Sequence, residues 1–234
     1  MNLKYDVLEV SREYKRTDIR GWLAGHQYCQ ALWYLVFFLA AFYITERLVT
    51  PKYMIFCPLD DRIPFREEFV VLYLTWFILL PASWAYTAVT CKEDFQNLFL
   101  IMFGGMTVSI VLYWIFPNGL DLRPGVVEPG ICGDLVKMIH AVDTPGNVCP
   151  SIHVSSSTAV AAVVCRSRFL KKKVLLRWGV CLLVLGISLS TMFLKQHSVI
   201  DVVCGAVLTA ALTEFVYRLP WRGWIRGTRM EFFL

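Results

Sequence analysis

The chain has 234 residues, 57% of them hydrophobic and 18% charged, with a formal net charge of +5. That apolar content, gathered into runs near the ~20 residues that cross a bilayer, excludes an ordinary water-soluble domain and marks an integral membrane protein. The basic residues sit at the ends of the apolar runs and no nucleic-acid-binding motif accompanies them, so the charge is read as membrane topology and no nucleic-acid partner is expected.

Residues 1–29 are polar and mixed in charge, with Lys4, Arg12, Lys15, Arg16 and Arg20 among Tyr5, Leu8, Tyr14, Ile19, Trp22 and Leu23. They read either as an interfacial amphipathic helix or as a solvated tail ordered near Trp22. They lack the short basic stub and apolar core of a signal peptide, so the first apolar run is expected to be retained. That run, the first predicted span, extends from Gln30 to Val49 and stops ahead of Pro51, since proline disfavours helix at the residue before it. An Asp60-Asp61-Arg62 cluster follows, read as a solvated, self-compensated loop.

The second span is placed from Phe69 to Thr90 with a kink at Pro81, and the third from Asn97 to Phe116, where Gly104-Gly105 permits close helix approach. Residues 117–150 form the longest interruption, rich in Gly and Pro, without obvious periodicity and containing Arg123-Pro124; segments of this kind are functional or disordered. A short fourth span from Ser151 to just before Arg166 carries Ser155, Ser156, Ser157 and Thr158, which places it inside the bundle. The basic connection Arg166, Arg168, Lys171, Lys172 and Lys173 precedes a fifth span, Val174 to Leu194. After Lys195-Gln196-His197-Ser198 a sixth span runs to Tyr217, and Arg218, Arg222, Arg226 and Arg229 lie among Trp221, Trp224 and Phe232 in a tail read as an interfacial anchor.

The expected fold is therefore all-α, a polytopic bundle of six transmembrane helices with a long extracytoplasmic loop between helices 3 and 4. Its parts are an interfacial N-terminal segment (1–29), a membrane catalytic domain (30–217) and a C-terminal tail (218–234). Six spans put both tails and the Arg166–Lys173 connection on one side, which the excess of Lys and Arg makes cytoplasmic. Arg123, His153 and His197 then meet on the extracytoplasmic face. The eight cysteines contain no CxxC pair or zinc spacing, so no metal is expected. Cys132 and Cys149 share one inter-helix segment and can bridge there in an oxidising compartment, although spacing alone does not establish it.

The chemistry concentrates in three places. Pro150-Ser151-Ile152-His153 opens a helix whose free N–H groups favour an anion, with Ser151 adding a hydroxyl donor. Arg123 offers a permanently charged fork for phosphate oxygens. His197 precedes Asp201 by four residues, one helical turn, so the carboxylate can orient the imidazole. His153 then suits proton delivery to a departing alcohol, and His197 suits nucleophilic attack on phosphorus. Asp201 inside a membrane segment is a functional candidate in its own right. Lys195 is a candidate second cation for phosphate, and Glu214 is expected to pair with a tail arginine.

In order along the chain, Arg123-Pro124, Pro150-Ser151-x-His153 and Ser190 followed by His197-x-x-x-Asp201 resemble the type 2 phosphatidate phosphatase superfamily, which also includes vanadium haloperoxidases. The resemblance implies that Arg123, Ser151 and Ser190 belong to the phosphate-binding motifs. It further implies that His153 protonates the leaving group and that His197, oriented by Asp201, is the nucleophile. The pattern departs in three places: Phe116 where the family has a lysine, Ile152 where it has glycine, and Thr191 where it has arginine. Retaining the His, His, Asp set without those cations is similar to the inositol phosphorylceramide and sphingomyelin synthase branch. The implied activity is thus hydrolysis of a lipid phosphate ester, phosphatidate-like or isoprenyl, through a phosphohistidine. The alternatives are transfer of a phosphorylated headgroup between lipids and, as a third reading, non-catalytic binding or transport of a lipid phosphate. No cofactor is implied.

Overall fold

The computed structural model describes Gly21 and residues 25–234; the two readings of the N-terminal segment fall almost wholly outside these. A 3-10 turn, Gln27–Trp33, leads into α1 (Tyr34–Leu48). A second 3-10 turn, Glu67–Phe69, leads into α2 (Val70–Leu74) and α3 (Trp76–Thr90), with α4 (Lys92–Ile115) following at once. Beyond them come α5 (Ile131–Val142), α6 (Ile152–Arg166), α7 (Val174–Phe193), α8 (Val199–Arg218) and the short α9 (Trp221–Ile225). Two-residue strands β1 (Tyr53–Met54) and β2 (Asn118–Gly119) pair in parallel.

Among the described residues five helices are long and apolar enough to cross a membrane: Gln27–Leu48, Glu67–Thr90, Lys92–Ile115, Val174–Phe193 and Val199–Arg218. The remaining apolar helix, α6, has only 15 residues and is packed within the bundle, with Ser155, Ser156 and Ser157 buried. Their hydroxyls return to carbonyls a turn earlier, Ser156 Oγ to Ile152 O at 2.6 Å and Ser157 Oγ to His153 O at 2.6 Å, which satisfies polar groups where water is absent. Gly104 and Gly105 of α4 face Leu212 of α8, and Gly105 also faces Ser155 of α6. A Cβ at either position would stand 3.6–3.7 Å from these side chains, an ordinary contact, so the spacing of the three helices does not itself require glycine there.

Several expectations need correction. The interruption at 117–150 is not wholly irregular, because Ile131–Val142 forms a helix that buries Val136 and Ile139 while exposing Ile131, Met138 and Val142. A twelve-residue stretch flanked by glycines and prolines hides its period. The Asp60 cluster is not a solvated loop either: Asp61 and Arg62 are exposed, but Asp60 is only 2% exposed. The second span is interrupted at Thr75, where the backbone makes an i→i−3 bond to Leu72, and Pro81 lies inside α3. The tail folds back onto the helix ends, with Trp221 and Phe233 buried in the main core and Arg222 reaching Asn97 at 3.1 Å.

Candidate active site

The His197 stretch is fixed by two helix ends. Lys195 adopts φ 56°, and the N–H groups of Lys195 and Gln196 return to Met192 O and Thr191 O at 3.1 and 2.9 Å, a Schellman closure of α7. Three residues on, Ser198 caps α8, accepting from Ile200 N at 3.2 Å, while the Asp201 carboxylate accepts from Ser198 N at 2.8 Å. This is a capping box. His197 is therefore pinned between a C-cap and an N-cap rather than lying on the helix. Asp201 reaches it from the first turn, Oδ2 to Nδ1 at 3.4 Å.

Asp60 locks this junction from outside. Its carboxylate accepts from Ser198 Oγ at 2.7 Å, Val199 N at 2.9 Å and Cys57 N at 2.8 Å. Its carbonyl accepts from Lys195 Nζ at 2.6 Å. The Lys195 ammonium, a sequence candidate for phosphate, is thus committed to Asp60 and does not line the cavity at the histidines.

His153 arrives from α6. Asn118 places the residues ahead of that helix, its Nδ2 donating to Cys149 O at 2.9 Å and its Oδ1 accepting from Val148 N and Cys149 N. Tyr113 adds a bond to Pro150 O at 2.7 Å. Ser151 caps α6, its oxygen accepting from Val154 N at 3.3 Å, and its own N–H donates to Asp201 O at 3.1 Å. A Cβ on Gly205 would stand 2.7 Å from Ser151 O, so only glycine permits this contact between α6 and α8. The result is His153 Nδ1 3.5 Å from His197 Nε2.

The other ring nitrogen of His153 meets Tyr73 OH at 2.8 Å, and that hydroxyl lies 3.3 Å from Asp143 Oδ2. Trp76 packs against the ring, centroids 4.5 Å apart. Arg123 completes the group, donating to Gln196 Oε1 at 2.7 Å and to Asp143 O at 2.8 Å. Desolvation lowers its pKa from the ordinary guanidinium value, with Asp143 opposing. Desolvation likewise raises the Asp143 carboxyl, with His197 and Arg123 opposing.

Of the sequence candidates, the structure brings together His153, His197 and Asp201, with Ser151 buried at the seam behind them; Arg123 is joined to this group through Gln196 and Asp143 and, like Lys195, does not line the cavity. It does not bring Ser190, whose hydroxyl is buried and donates to Ile187 O at 2.6 Å. Glu214 pairs with Arg166 at 2.5 Å and Arg218 at 2.6 Å. Cys132 and Cys149 are both free, and burial with the nearby Asp201 charge pushes the Cys149 thiol well up. Sequence reasoning missed Tyr73, Trp76, Asp143, Gln196 and Asp60. Gln196 adjoins the nucleophile candidate, but nothing in an apolar run distinguishes Tyr73 from a lipid-facing aromatic.

The histidines line a cavity of about 470 Å³ whose walls include Phe38 and Phe42 of α1, Trp76 and Phe77 of α3, and Ile139 and Val142 of α5. Asp143, Asn147, Gln196 and the two histidines supply its polar end. No group of three or more metal-ligating side chains occurs among the described residues.

A family model of the PAP2 superfamily matches residues 98–225, more than half of the chain, and the protein belongs to that superfamily. The matched segment contains Arg123, Ser151, His153, His197 and Asp201, whereas Asp60 and Tyr73 precede it. Members are generally phosphatases or phosphotransferases. No curated protein and no solved structure matches the chain.

Proposed function

We propose that the protein is a membrane-embedded lipid phosphatase that works through a phosphohistidine at His197. The observation that carries this reading is the 3.5 Å approach of His153 Nδ1 to His197 Nε2 in the lining of a largely apolar cavity. Asp201 holds a proton on His197 Nδ1, leaving the Nε2 lone pair to attack phosphorus. As the N–P bond forms and the P–O bond to the lipid breaks, His153 gives its proton to the leaving oxygen. Arg123 and the first turn of α6 balance the charge on the phosphoryl oxygens. Neutral His153 then takes a proton from water, whose oxygen attacks phosphorus and frees His197. The apolar walls suit acyl or isoprenyl chains.

Lys195 supports a second reading. With that ammonium held by Asp60, Arg123, bonded to Gln196 next to His197, is the motif-set cation left for the phosphoryl group. One guanidinium balances a singly charged phosphodiester better than a phosphomonoester dianion. An alcohol in place of water would then give headgroup transfer. A radiolabelled phosphatidate and a headgroup-labelled phosphodiester lipid, each with and without acceptor alcohol, separate the readings. Free phosphate marks the phosphatase, and a new lipid marks the transferase. Saturable binding with no product under any condition would leave only a lipid-phosphate binder.

For topology, the proposal is that α6, though short, completes six crossings with the bundle's basic end in the cytoplasm. Arg166, Lys171, Arg218 and Arg222 gather at that end, and the histidines lie at the other. In a background without native cysteines, Asp61→Cys should react with an impermeant thiol reagent in intact cells; labelling only after permeabilisation would reverse the orientation.

A further inference from the structure

The catalytic reading accounts for His197 and its carboxylate but leaves the proton on His153 unassigned between two ring nitrogens. A tyrosine hydroxyl has one proton and an ionised carboxylate only accepts. The Tyr73 hydroxyl therefore donates to Asp143 Oδ2 at 3.3 Å, and the Tyr73 oxygen is left to accept from His153 Nε2–H at 2.8 Å. Tyr73 is 1% exposed, and the His153 ring packs at a tilt against both it and Trp76, ring centroids 4.8 and 4.5 Å apart, which confines hydroxyl and imidazole alike. The charged and titratable groups around His153 are then Tyr73 from α2, His197 with Asp201 from the head of α8, and Asp143 with Arg123 from the interrupted segment.

We propose that Tyr73 and Asp143 are positioning residues for the general acid, fixing a proton on His153 Nε2 so that the proton delivered to the leaving oxygen departs from Nδ1. This rests on the catalytic reading above and adds to it the atom that acts and the residues that choose it. The balance is simple. Imidazolium His153 carries both ring protons; the P–O bond breaks and the leaving oxygen takes the Nδ1 proton. The Nε2 proton stays on His153, hydrogen-bonded to the Tyr73 oxygen, and the phenolic proton stays on Tyr73, hydrogen-bonded to Asp143. In the second step water or alcohol returns a proton to Nδ1 as its oxygen bonds phosphorus and the P–N bond to His197 opens. Nδ1 is also the nitrogen that faces His197, where the phosphoryl group would be held. The two histidines thus have matching supports, His197 directly on a carboxylate and His153 through a phenol. Tyr73 precedes the segment matched by the family model, so this support lies partly outside it.

The test separates positioning of an acid from structural support by varying the leaving group. Purified protein, Tyr73→Phe and Asp143→Asn are followed through the first turnover on dodecyl phosphate and on p-nitrophenyl phosphate. Dodecanol needs a proton to depart, whereas nitrophenolate leaves as an anion. Each variant should release dodecanol about a hundredfold more slowly while nitrophenol release changes by less than about threefold. Equal slowing on both substrates would overturn the proposal, leaving Tyr73 and Asp143 as packing residues. Should Tyr73→Phe not accumulate folded, Asp143→Asn carries the same comparison alone. If the unaltered protein turned over neither ester, the catalytic reading itself would fall, and this inference with it.

Discussion

Asp60 and Ser198, separated by 138 positions, share a 2.7 Å hydrogen bond that ties an inter-helix segment to the N-cap of the helix bearing Asp201. The same carboxylate accepts from Val199 N, so the first turn of α8 has an external anion at its positive end. Asp60→Ala would leave the Ser198 and Val199 donors buried without partners. The expected cost is about 3 kcal/mol, from two or more hydrogen bonds to a charged group. Melting of the purified protein should show a clear drop in Tm, and phosphohydrolase activity should fall further because His197 loses its fixed junction. An unchanged Tm would show that the Asp60 contacts contribute nothing.

Much of this was legible in advance, and the division has a physical cause. The apolar runs and their polar interruptions located the long helices, because a bilayer-scale hydrophobic stretch needs no tertiary information to be recognised. The spacing of His153, His197 and Asp201 pointed to residues that do lie together. Asp60, Tyr73 and Asp143 were not legible. Their partners are chosen by folding at long range, and the sequence around each reads equally well as loop or lipid-facing helix. Lys195 misled for a related reason. Two positions from a histidine suggests a shared target, but the left-handed residue that closes α7 turns its side chain toward Asp60.

His197→Ala should abolish turnover, by at least about a thousandfold, while leaving lipid binding in the cavity intact. Brief incubation of the unaltered protein with radiolabelled substrate, followed by alkaline quench, should trap label on protein as an acid-labile phosphoramidate. His197→Ala should trap none. Label that persists in His197→Ala would place the nucleophile elsewhere.

Gly205 sets the separation of the two histidine-bearing helices. An alanine Cβ would meet Ser151 O at 2.7 Å, and that atom is the backbone of the α6 N-cap rather than a flexible side-chain end. Gly205→Ala should therefore push α6 from α8 and cost about 1–3 kcal/mol through overpacking. The displacement falls on the contact that holds Ser151 to Asp201. Activity should drop at least tenfold, an order-of-magnitude consequence of misplacing the acid relative to the nucleophile. Activity equal to the unaltered protein, measured beside Tm, would show that the helices accommodate the methyl without moving the histidines.

The rim of the cavity offers a change that spares the chemistry. Val142 lines the apolar wall yet is 81% exposed on its outer side, at the end of α5. Val142→Trp should fold normally and narrow the path for long chains. KM for a long-chain phosphatidate should rise several-fold while that for a short-chain analogue stays level, and kcat on the short-chain substrate should not change. Equal effects on both chain lengths would move the lipid tails to another surface.

Asp143 carries a stability cost that its position near His153 explains. Desolvation raises its folded pKa above the unfolded value. A raised carboxyl pKa means that the fold favours the protonated form, a stabilisation present at low pH and lost as pH rises through the folded value. Near neutral pH the ionised carboxylate therefore works against folding. Asp143→Asn removes that opposition, and because its amide can donate as well as accept, it no longer dictates the direction of the Tyr73 hydroxyl. The variant should be more stable than the unaltered protein at pH 7, and the difference should shrink as pH is lowered through the folded pKa of Asp143. Tm measured across that range tests the sign. A variant less stable at neutral pH, with a gap that closes on acidification, would show that Arg123 and Tyr73 more than repay the desolvation of the carboxylate. Gained stability together with slowed release of dodecanol is the pattern expected of a group kept for positioning rather than for folding.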